Sequence, residues 1–190
     1  MVINFTSSER DEDYQEPAIL YVTSGSSSSN NDFQNLLDWR KERGYTVYTA
    51  SLTETGSSTT SIKNYIQNAY NTFDPPPEYV ALVGDVDGSY TVPTYYNGWG
   101  HNSYGNECEG DHPYSQLVGS DLIPEVFVGR MSIRTSSELS TVSNKIINYE
   151  KATYLENIED YYEKAAMAGD PSTSGNSCAV TKEHVAEILD

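Results

Sequence analysis

Cysteine is scarce in this chain of 190 residues, which contains only Cys108 and Cys178. Two cysteines cannot define a disulfide framework, so a fold held together mainly by disulfide bonds is excluded. The two thiols could bond to each other, remain unbonded or include a reactive thiol. Long apolar runs are missing as well, and none approaches the roughly 20 residues that a membrane-spanning helix needs.

Positive charge is also scarce, because 11 lysines and arginines stand against 28 aspartates and glutamates, for a net charge of −17. Such a surface repels phosphate groups, so we expect neither nucleic acid nor an anionic membrane as a partner. The acidity suits a soluble protein in an extracellular or cation-rich setting. The first residues lack the basic and apolar regions of a signal peptide, so we expect either an intracellular protein or a leader that has been removed.

Several phosphate-binding and catalytic motifs are missing from the sequence. It contains no GxGxxG, no GxxxxGK(S/T), no HExxH and no GxSxG, so nucleotide-binding and serine-hydrolase functions lose their main support. His101 and Cys108 lie together in one loop rich in glycine and asparagine, whereas catalytic thiol–imidazole pairs usually meet across a fold. Three scattered histidines and two distant cysteines also lack the ligand spacing of a zinc site.

The first half of the chain contains a regular alternation of strands and helices. The predicted elements are a strand at 18–24, a helix at 32–44 with Asn31 as its cap and Gly44 as its stop, a strand at 45–51, a helix at 61–73 and a strand at 79–85. The apolar residues of both helices recur on one face. The order β-α-β-α-β indicates an α/β fold, a three-layer sandwich with a parallel sheet and helices on both faces.

The second half of the chain is less regular. Residues 86–113 form a long loop rich in glycine, tyrosine and asparagine, a length that is uncommon unless a loop is functional or holds short hairpins. After the loop we predict a short strand at 114–119 and a core strand at 125–132. A capping box at Thr135 and Glu138 opens the next helix, which has Leu139, Val142, Ile146 and Tyr149 on one face. A strand at 164–170 and a helix at 181–190 follow. We expect a loose lead-in at 1–16, an N-terminal α/β subdomain at 17–155 and the first β-α unit of an incomplete second subdomain at 156–190.

Two acids, Asp121 and Glu125, lie just ahead of the predicted core strand, with Ile123 midway between them. In a tight extended turn this i, i+2, i+4 spacing can aim two carboxylates and one backbone carbonyl at a single point. Calcium takes roughly 6–8 oxygen ligands and accepts carbonyl oxygens, so the spacing is compatible with a calcium site. The spacing leaves an alternative open, in which Asp121 caps a turn and Glu125 is exposed to solvent.

The sequence resembles the gingipain-type cysteine peptidases, peptidase family C25, over roughly residues 18–190. The resemblance rests on the segments LLDWRKERGYTV, EYVALVGD, DHPYSQLVGSDLIPEVFVGRMS, ELSTVSNKIINYEK and GDPSTSGNSCAVTKEHVAEIL. It implies a caspase-like, Rossmann-like sandwich of two subdomains, of which the second holds the catalytic residues. In this family the catalytic histidine lies in a Gly-His-Gly motif and the cysteine follows it, both after the helix TKEHVAEIL. Neither is present here, so we expect these 190 residues alone to be an inactive fragment.

The resemblance also assigns site residues. It implies a structural calcium ion bound by Asp85, the carbonyl of Val118, Asp121, the carbonyl of Ile123 and Glu125. Alignment without gaps puts Ala168 where the family has the acid that orients the catalytic histidine, so Asp170, two residues on, is the candidate for that role. The acid that selects arginine in the family falls on Ala179, which puts a preference for arginine in doubt. A second calcium site is not expected, because Ser177 and Lys182 stand where acids or histidine would be needed.

Two functions from different classes follow from these observations. The first is a fragment of a secreted or cell-surface cysteine endopeptidase, which in its full-length form hydrolyses peptide bonds of peptide or protein substrates. The second is a non-catalytic caspase-like scaffold or binding module that displays residues 86–113 to a partner. A Gly-His-Gly motif and a strand-borne cysteine beyond Asp190 in the parent sequence would favour the first function, and their absence would favour the second.

Overall fold

A computed structural model describes residues 17–96, 110–152 and 176–189. These residues contain the strands β1 (Ala18–Thr23), β2 (Thr46–Ser51), β3 (Tyr79–Val83) and β4 (Phe127–Met131), and the helices α1 (Asn31–Glu42), α2 (Leu52–Thr55), α3 (Thr59–Thr72), α4 (Ser136–Glu150) and α5 (Asn176–Leu189). Short 3-10 turns lie at Ser27–Ser29 and His112–Tyr114. The chain divides into two compact units, Met1–Ile147 and Asn148–Asp190.

The four strands form one parallel sheet in the order β2-β1-β3-β4. β1 lies inside the sheet and is buried at all six of its residues. Its uninterrupted apolar sequence is typical of a parallel strand that helices cover on both faces. In the register of the sheet, Ile19 lies opposite Tyr79, and Tyr79 lies opposite Phe127 on β4.

One face of the sheet packs against α3. This helix buries Ile62, Ile66 and Ala69, the residues that its apolar spacing predicts to face the core. Segments between β3 and β4 complete the cluster on the same face. The buried residues on this face are Leu20, Val22, Ala50, Ile62, Ile66, Ala69, Val80, Leu82, Val92, Tyr114, Leu117 and Val126.

The opposite face packs against α1 and α4. The buried residues on this face are Ile19, Tyr21, Phe33, Leu36, Leu37, Val83, Tyr90, Ile133, Leu139 and Ile147. Tyr21 and Phe33 meet edge to face with their ring centroids 5.5 Å apart, which ties β1 to α1. Two helices on one face and α3 on the other confirm the predicted α/β three-layer sandwich with a parallel sheet.

The cap of α1 is Asn30, and the prediction of Asn31 is wrong by one residue. The Asn30 Oδ1 accepts a hydrogen bond of 3.0 Å from the backbone N–H of Phe33, which satisfies one of the unpaired donors at the start of the helix. The Asn30 Nδ2 donates to the Ser136 Oγ at 2.8 Å and to the Ser140 Oγ at 3.1 Å. The cap therefore also joins α1 to the first turn of α4, a contact that local sequence does not reveal.

The predicted stop of α1 agrees with the structure. Gly44 has a φ of +89°, a conformation that glycine adopts without the steric cost that a side chain would bring. The helix ends two residues earlier, at Glu42, and β2 starts at Thr46. The sequence pattern therefore placed the boundaries of both elements to within two residues.

Three predictions for the second half are corrected. Residues 114–119 form no strand, because the chain passes from the 3-10 turn at 112–114 into irregular structure. α4 buries Leu139, Ser143 and Ile147, whereas Tyr149 is 61% exposed. The predicted capping box is half formed, because Thr135 Oγ1 accepts from Glu138 N but Glu138 Oε2 accepts from the backbone N–H of Arg134 instead.

The remaining predictions concern the end of the chain. The last helix is present as α5 and begins at Asn176, five residues before the predicted start at 181. The strand predicted at 164–170, the boundary at 155–156 and the lead-in at 1–16 lie outside the described residues. Among the described helices, none combines the length and the apolar character that crossing a membrane requires.

Candidate functional site at the carboxyl edge of the sheet

The point where strand order reverses lies between β1 and β3, because the chain runs from β1 to β2 on one side and returns to β3 on the other. In open α/β sheets ligands bind in the crevice at the carboxyl ends of the strands at this point. Here the segment 85–92 folds over the crevice. Asp85 N donates to Tyr90 O at 2.9 Å, and Val92 N donates to Asp85 O at 2.8 Å.

Tyr90 occupies the crevice itself. The residue is only 6% exposed, and its hydroxyl lies 3.1 Å from the Ser26 Oγ. Two glycines make room for it. A Cβ on Gly25 would lie 3.1 Å from the Tyr90 ring, and a Cβ on Gly84 would lie 2.6 Å from the Tyr90 carbonyl oxygen. The site that other α/β folds use for a ligand is therefore filled by a side chain of this protein.

Asp85 lies two residues after the end of β3 and binds Arg134, which follows β4. The Arg134 Nε lies 2.6 Å from the Asp85 Oδ2 and 2.8 Å from the Asp87 Oδ1. The hydrogen bond from Arg134, together with one from the backbone N–H of Val86, lowers the pKa of Asp85 below its ordinary value. The carboxylate therefore stays charged and connects the carboxyl ends of two neighbouring strands.

Arg130 on β4 makes a second and more buried ion pair, with Asp111. Its Nε and Nη2 bind the two Asp111 oxygens, each at 2.7 Å, and the side chains of Arg130 and Asp111 are 11% and 22% exposed. Nη1 also donates to the carbonyls of Gly84 at 2.9 Å and Val92 at 2.8 Å. The planar guanidinium thus fastens the segments on both sides of the long loop to the sheet.

Sequence reasoning missed this pair. A signal was present, because Arg130 interrupts the apolar run of a predicted core strand, and a buried arginine needs an acidic partner. The identity of that partner could not be read from the sequence. Asp111 lies 19 residues away, in a segment without periodicity.

The two acids that precede β4, Asp121 and Glu125, accept hydrogen bonds from backbone N–H groups of their own loop. Glu125 Oε2 accepts hydrogen bonds from the backbone N–H groups of Leu117 at 2.6 Å and Val118 at 3.1 Å. Asp121 Oδ1 accepts from Ile123 N at 3.0 Å, an Asx turn. The loop tip carries exposed apolar side chains, with Leu122 67% and Ile123 66% exposed. Both acids therefore already have backbone partners.

The predicted calcium ligands are only partly brought together. Asp121 and Glu125 belong to one loop, which also carries the carbonyls of Val118 and Ile123, but Asp85 is bound to Arg134. In the part of the chain that the structure describes, no group of three or more His, Cys, Asp or Glu side chains is placed to hold a metal ion. The calcium site stays a prediction, in which loop carbonyls would have to supply much of the coordination.

Some of the other candidate residues lie outside the described part of the chain, and the rest lie on α5 or beside the loop that precedes β4. Asp170, Ala168, His101 and Cys108 lie outside the described residues. Ser177, Cys178 and Ala179 lie on the first turn of α5, where only the backbone is described. On the same helix His184 is exposed, with its Nδ1 3.8 Å from Glu187. His112 is bound to the loop, with its Nε2 3.0 Å from the Leu122 carbonyl oxygen.

Comparison with known proteins shows which family this chain resembles. The family model of peptidase family C25 matches residues 12–190. The chain belongs to peptidase family C25. Curated relatives include Lys-gingipain W83 of Porphyromonas gingivalis, which is 28% identical over 169 residues covering 86% of this chain and 9% of the relative. Gingipain R2 of the same species is 25% identical over 158 residues, covering 81% of this chain and 20% of the relative.

Solved structures give the same result for the fold. A structure described as a protease has a TM-score of 0.62 and 27% identity, covering 72% of this chain and 29% of that chain. A crystal structure of the Arg-specific cysteine proteinase gingipain R has a TM-score of 0.61 and 20% identity, covering 94% of this C25 chain and 39% of the other. The C25 chain therefore spans a small part of the relatives that it matches.

Proposed function

We propose that this chain is the N-terminal part of a gingipain-like cysteine endopeptidase that hydrolyses peptide bonds in its full-length form. The match to the C25 family over residues 12–190 carries the proposal. The carboxyl edge of the sheet supports it, because Tyr90 and two arginine–carboxylate pairs occupy this edge as structural contacts. In this proposal the described α/β unit is a rigid frame, and the reacting groups lie elsewhere in the full-length protein.

In the full-length protein a cysteine thiolate would attack the peptide carbonyl, and a histidine would transfer the proton to the leaving amine. Asp170 is the proposed residue that orients this histidine. The substrate would be a peptide or a protein, and the location would be extracellular or at the cell surface. The name of gingipain R, the Arg-specific proteinase, describes that relative, and Ala179 gives no reason to transfer its specificity.

The first prediction concerns activity. The 190-residue chain should cleave no member of a fluorogenic peptide library under reducing conditions, because it contains no Gly-His-Gly motif. The full-length protein should cleave peptides and should lose this activity on alkylation with iodoacetamide. Cleavage by the short chain that disappears in a Cys108→Ser, Cys178→Ser double variant would overturn the proposal of an inactive fragment.

The second candidate function is a non-catalytic scaffold of the caspase-like type. The filled crevice between β1 and β3 favours it as well, because a scaffold needs no ligand pocket at this point. The same experiment separates the two functions. A full-length protein that is folded, binds peptides or proteins and cleaves none of them would identify the scaffold.

We also propose that calcium binds the loop 118–125, with Asp121, Glu125 and the carbonyls of Val118 and Ile123 as ligands and Asp85 as a fifth. The charge of −17 and the two carboxylates in one short loop support the proposal. A divalent cation would offset the repulsion between these carboxylates and would stabilise the loop.

The second prediction tests this calcium site by isothermal titration and thermal unfolding. Calcium at about 100 times its dissociation constant should stabilise the wild-type chain by about 2.7 kcal/mol. Asp121→Ala should abolish both the heat of binding and the rise in melting temperature. Asp38→Ala is the matched control, because Asp38 is an exposed acid paired with Lys41 on α1 and should leave both measurements unchanged. Equal calcium responses in all three proteins, or no response in the wild type, would remove the site.

A further inference from the structure

β4 is an edge strand of the sheet. In the part of the chain that the structure describes, it pairs with β3 on one side and with no strand on the other. Phe127 N donates to Glu78 O at 2.9 Å, so the backbone groups of Phe127 point toward β3. Because successive residues of a strand direct their backbone groups to opposite edges, Val128 and Arg130 each present an N–H and a C=O to the outer edge.

Two cavities adjoin this strand, one on each face of the sheet. The first has a volume of about 400 Å³, lies on the face that α1 covers and is lined from β4 by Phe127 and Gly129. The second has a volume of about 250 Å³, lies on the α3 face and is lined by Val126 and Val128. The side chains of an added strand alternate between two faces, so a strand beside β4 would direct them toward both cavities in turn.

The first cavity has room for a large side chain next to β4. Phe127 is 64% exposed although it belongs to the sheet, and its ring stacks on Tyr79 with the centroids 5.5 Å apart. Gly129 lies two residues further on, and a Cβ built at this position meets no atom within 4 Å. A large apolar side chain of a neighbouring strand would cover this glycine and pack on the aromatic rings.

The chain around this edge is acidic. Residues 111–129 contain three acids, residues 74–85 contain another three, and neither segment contains a lysine or an arginine. Arg130 on β4 is bound to Asp111. Arg40 lines the first cavity from α1, next to the start of β2 on the opposite side of the sheet. The edge of β4 therefore attracts a basic partner, whereas a second copy of this chain, with a net charge of −17, would be repelled.

We propose that the outer edge of β4 binds an extended basic peptide segment as an additional strand of the sheet. The backbone of the segment pairs with Val128 and Arg130, and a large apolar side chain lies beside Gly129. Its basic side chains alternate with the apolar ones and lie on the α3 face. The site takes part in no catalytic step, so the proposal does not depend on peptidase activity of the full-length protein.

Fluorescence anisotropy tests the proposal with a labelled probe, acetyl-Lys-Phe-Thr-Phe-Lys-amide. Both phenylalanines of this peptide lie on one face when it is extended, and both lysines lie on the other. The chain of 190 residues should bind the probe. It should bind acetyl-Phe-Phe-Thr-Lys-Lys-amide, which has the same composition without the alternation, at least about tenfold more weakly.

Val128→Pro removes the N–H that points away from β3 and leaves the pairing with β3 in place. It should weaken binding of the probe about tenfold, because one backbone hydrogen bond to the peptide is lost. Val47→Pro is the matched control on β2, the other edge strand of the described sheet. Thr46 N donates to Pro17 O, on the side of β1, so the N–H of Val47 also points outward. This variant should leave the affinity unchanged.

Two N-methylated probes decide the outcome even if Val128→Pro does not fold. One carries N-methyl groups on both phenylalanines, and the other carries them on the threonine and the lysines. A bound strand directs its N–H groups toward β4 only at alternate residues, so one of these probes should lose binding and the other should keep it.

Three results would overturn the proposal. The first is that the wild type does not bind the probe. The second is that the N-methylated and unmodified probes, or the alternating and scrambled peptides, bind equally well. The third is a wild-type dimer, seen by light scattering after size exclusion, that Val128→Pro dissociates, because a second copy would then cover the edge.

Discussion

At the scale of single residues, two arginines hold the carboxyl edge of the sheet together. Arg130 binds Asp111 through two bonds of 2.7 Å, and Arg134 binds Asp85 at 2.6 Å. The two pairs differ in exposure, because the Arg130 side chain is 11% exposed and the Arg134 side chain 55%. Removing one partner should destabilise the buried Arg130 pair more than the exposed Arg134 pair, since a buried charge without its partner is costly.

The third prediction concerns Arg130. Arg130→Met should lower the free energy of unfolding by about 3 kcal/mol, because Asp111 loses its cationic partner and the carbonyls of Gly84 and Val92 lose the Arg130 donor. Lys41→Met is the control, and it should cost less than about 1 kcal/mol because its pair with Asp38 is exposed. Urea unfolding measures both. A loss for Arg130→Met no larger than that of the control would show that the pair is dispensable.

The fourth prediction is a dependence of stability on pH that comes from Asp85. Hydrogen bonding to Arg134 lowers the pKa of Asp85 from its ordinary value of 3.8, so the folded state prefers the charged carboxylate. This contribution is fully present above the unfolded pKa and is lost as the pH falls through the lower folded pKa. Asp85→Asn should therefore flatten the decline of the melting temperature below about pH 4.

Arg134→Met provides the matched variant for Asp85. It leaves the carboxylate in place but removes the main cause of its lowered pKa, so it should flatten the same part of the curve. Melting temperatures measured at several pH values between neutral and acid conditions give the comparison. A wild-type slope in both variants would assign the acid sensitivity to other carboxylates.

At the scale of helices and strands, Asn30 connects α1 to α4 by a hydrogen bond to Ser136, which lies 106 residues further along the chain. Its side chain caps α1 through Phe33 N and donates to Ser136 and Ser140 in the first turn of α4. Asn30 is 8% exposed, so these hydrogen bonds are shielded from water. The two helices that cover one face of the sheet are thus fixed to each other at their amino ends.

The fifth prediction separates the two roles of Asn30. Asn30→Ala should lose about 2 kcal/mol of stability, because both the cap and the bonds to α4 disappear. Asn30→Asp keeps an oxygen for Phe33 N and can accept from the serine hydroxyls, but it can no longer donate to the Ser136 carbonyl oxygen, so it should lie between Ala and the wild type. Ser58→Ala, the cap of α3, should cost about 1 kcal/mol as a loss of capping alone. Equal losses in Ala and Asp variants would assign the effect to α4 only.

Elements with strong periodicity were predictable from the sequence. α1, α3 and the first three strands lie within two residues of their expected positions, because the pattern of apolar residues reflects which face is buried. The buried face of α4 was predicted less well. Ser143 is buried and Tyr149 is exposed, a choice that the hydrophobicity of the two side chains does not encode.

At the scale of the whole molecule, the described α/β unit is a frame with its usual ligand crevice closed. Tyr90 fills the point between β1 and β3, and Gly25 and Gly84 allow it to approach the backbone closely. Membership of peptidase family C25 gives this frame a context, since the chain spans 9% of Lys-gingipain W83 and 20% of gingipain R2. Peptide-bond hydrolysis is therefore a proposal for the full-length protein and is not assigned to the described residues.

The sequence alone determined the layers of the fold, because alternating strand and helix patterns with one apolar face leave a parallel sheet between helices as the stable arrangement. It also identified Asp121 and Glu125 as paired acids in one loop. Only the tertiary structure decided what the acids bind: Glu125 accepts from Leu117 N, and Asp85 is bound to Arg134. Such pairings form only when folding brings residues of different segments within hydrogen-bonding distance, and the sequence does not show which residues meet.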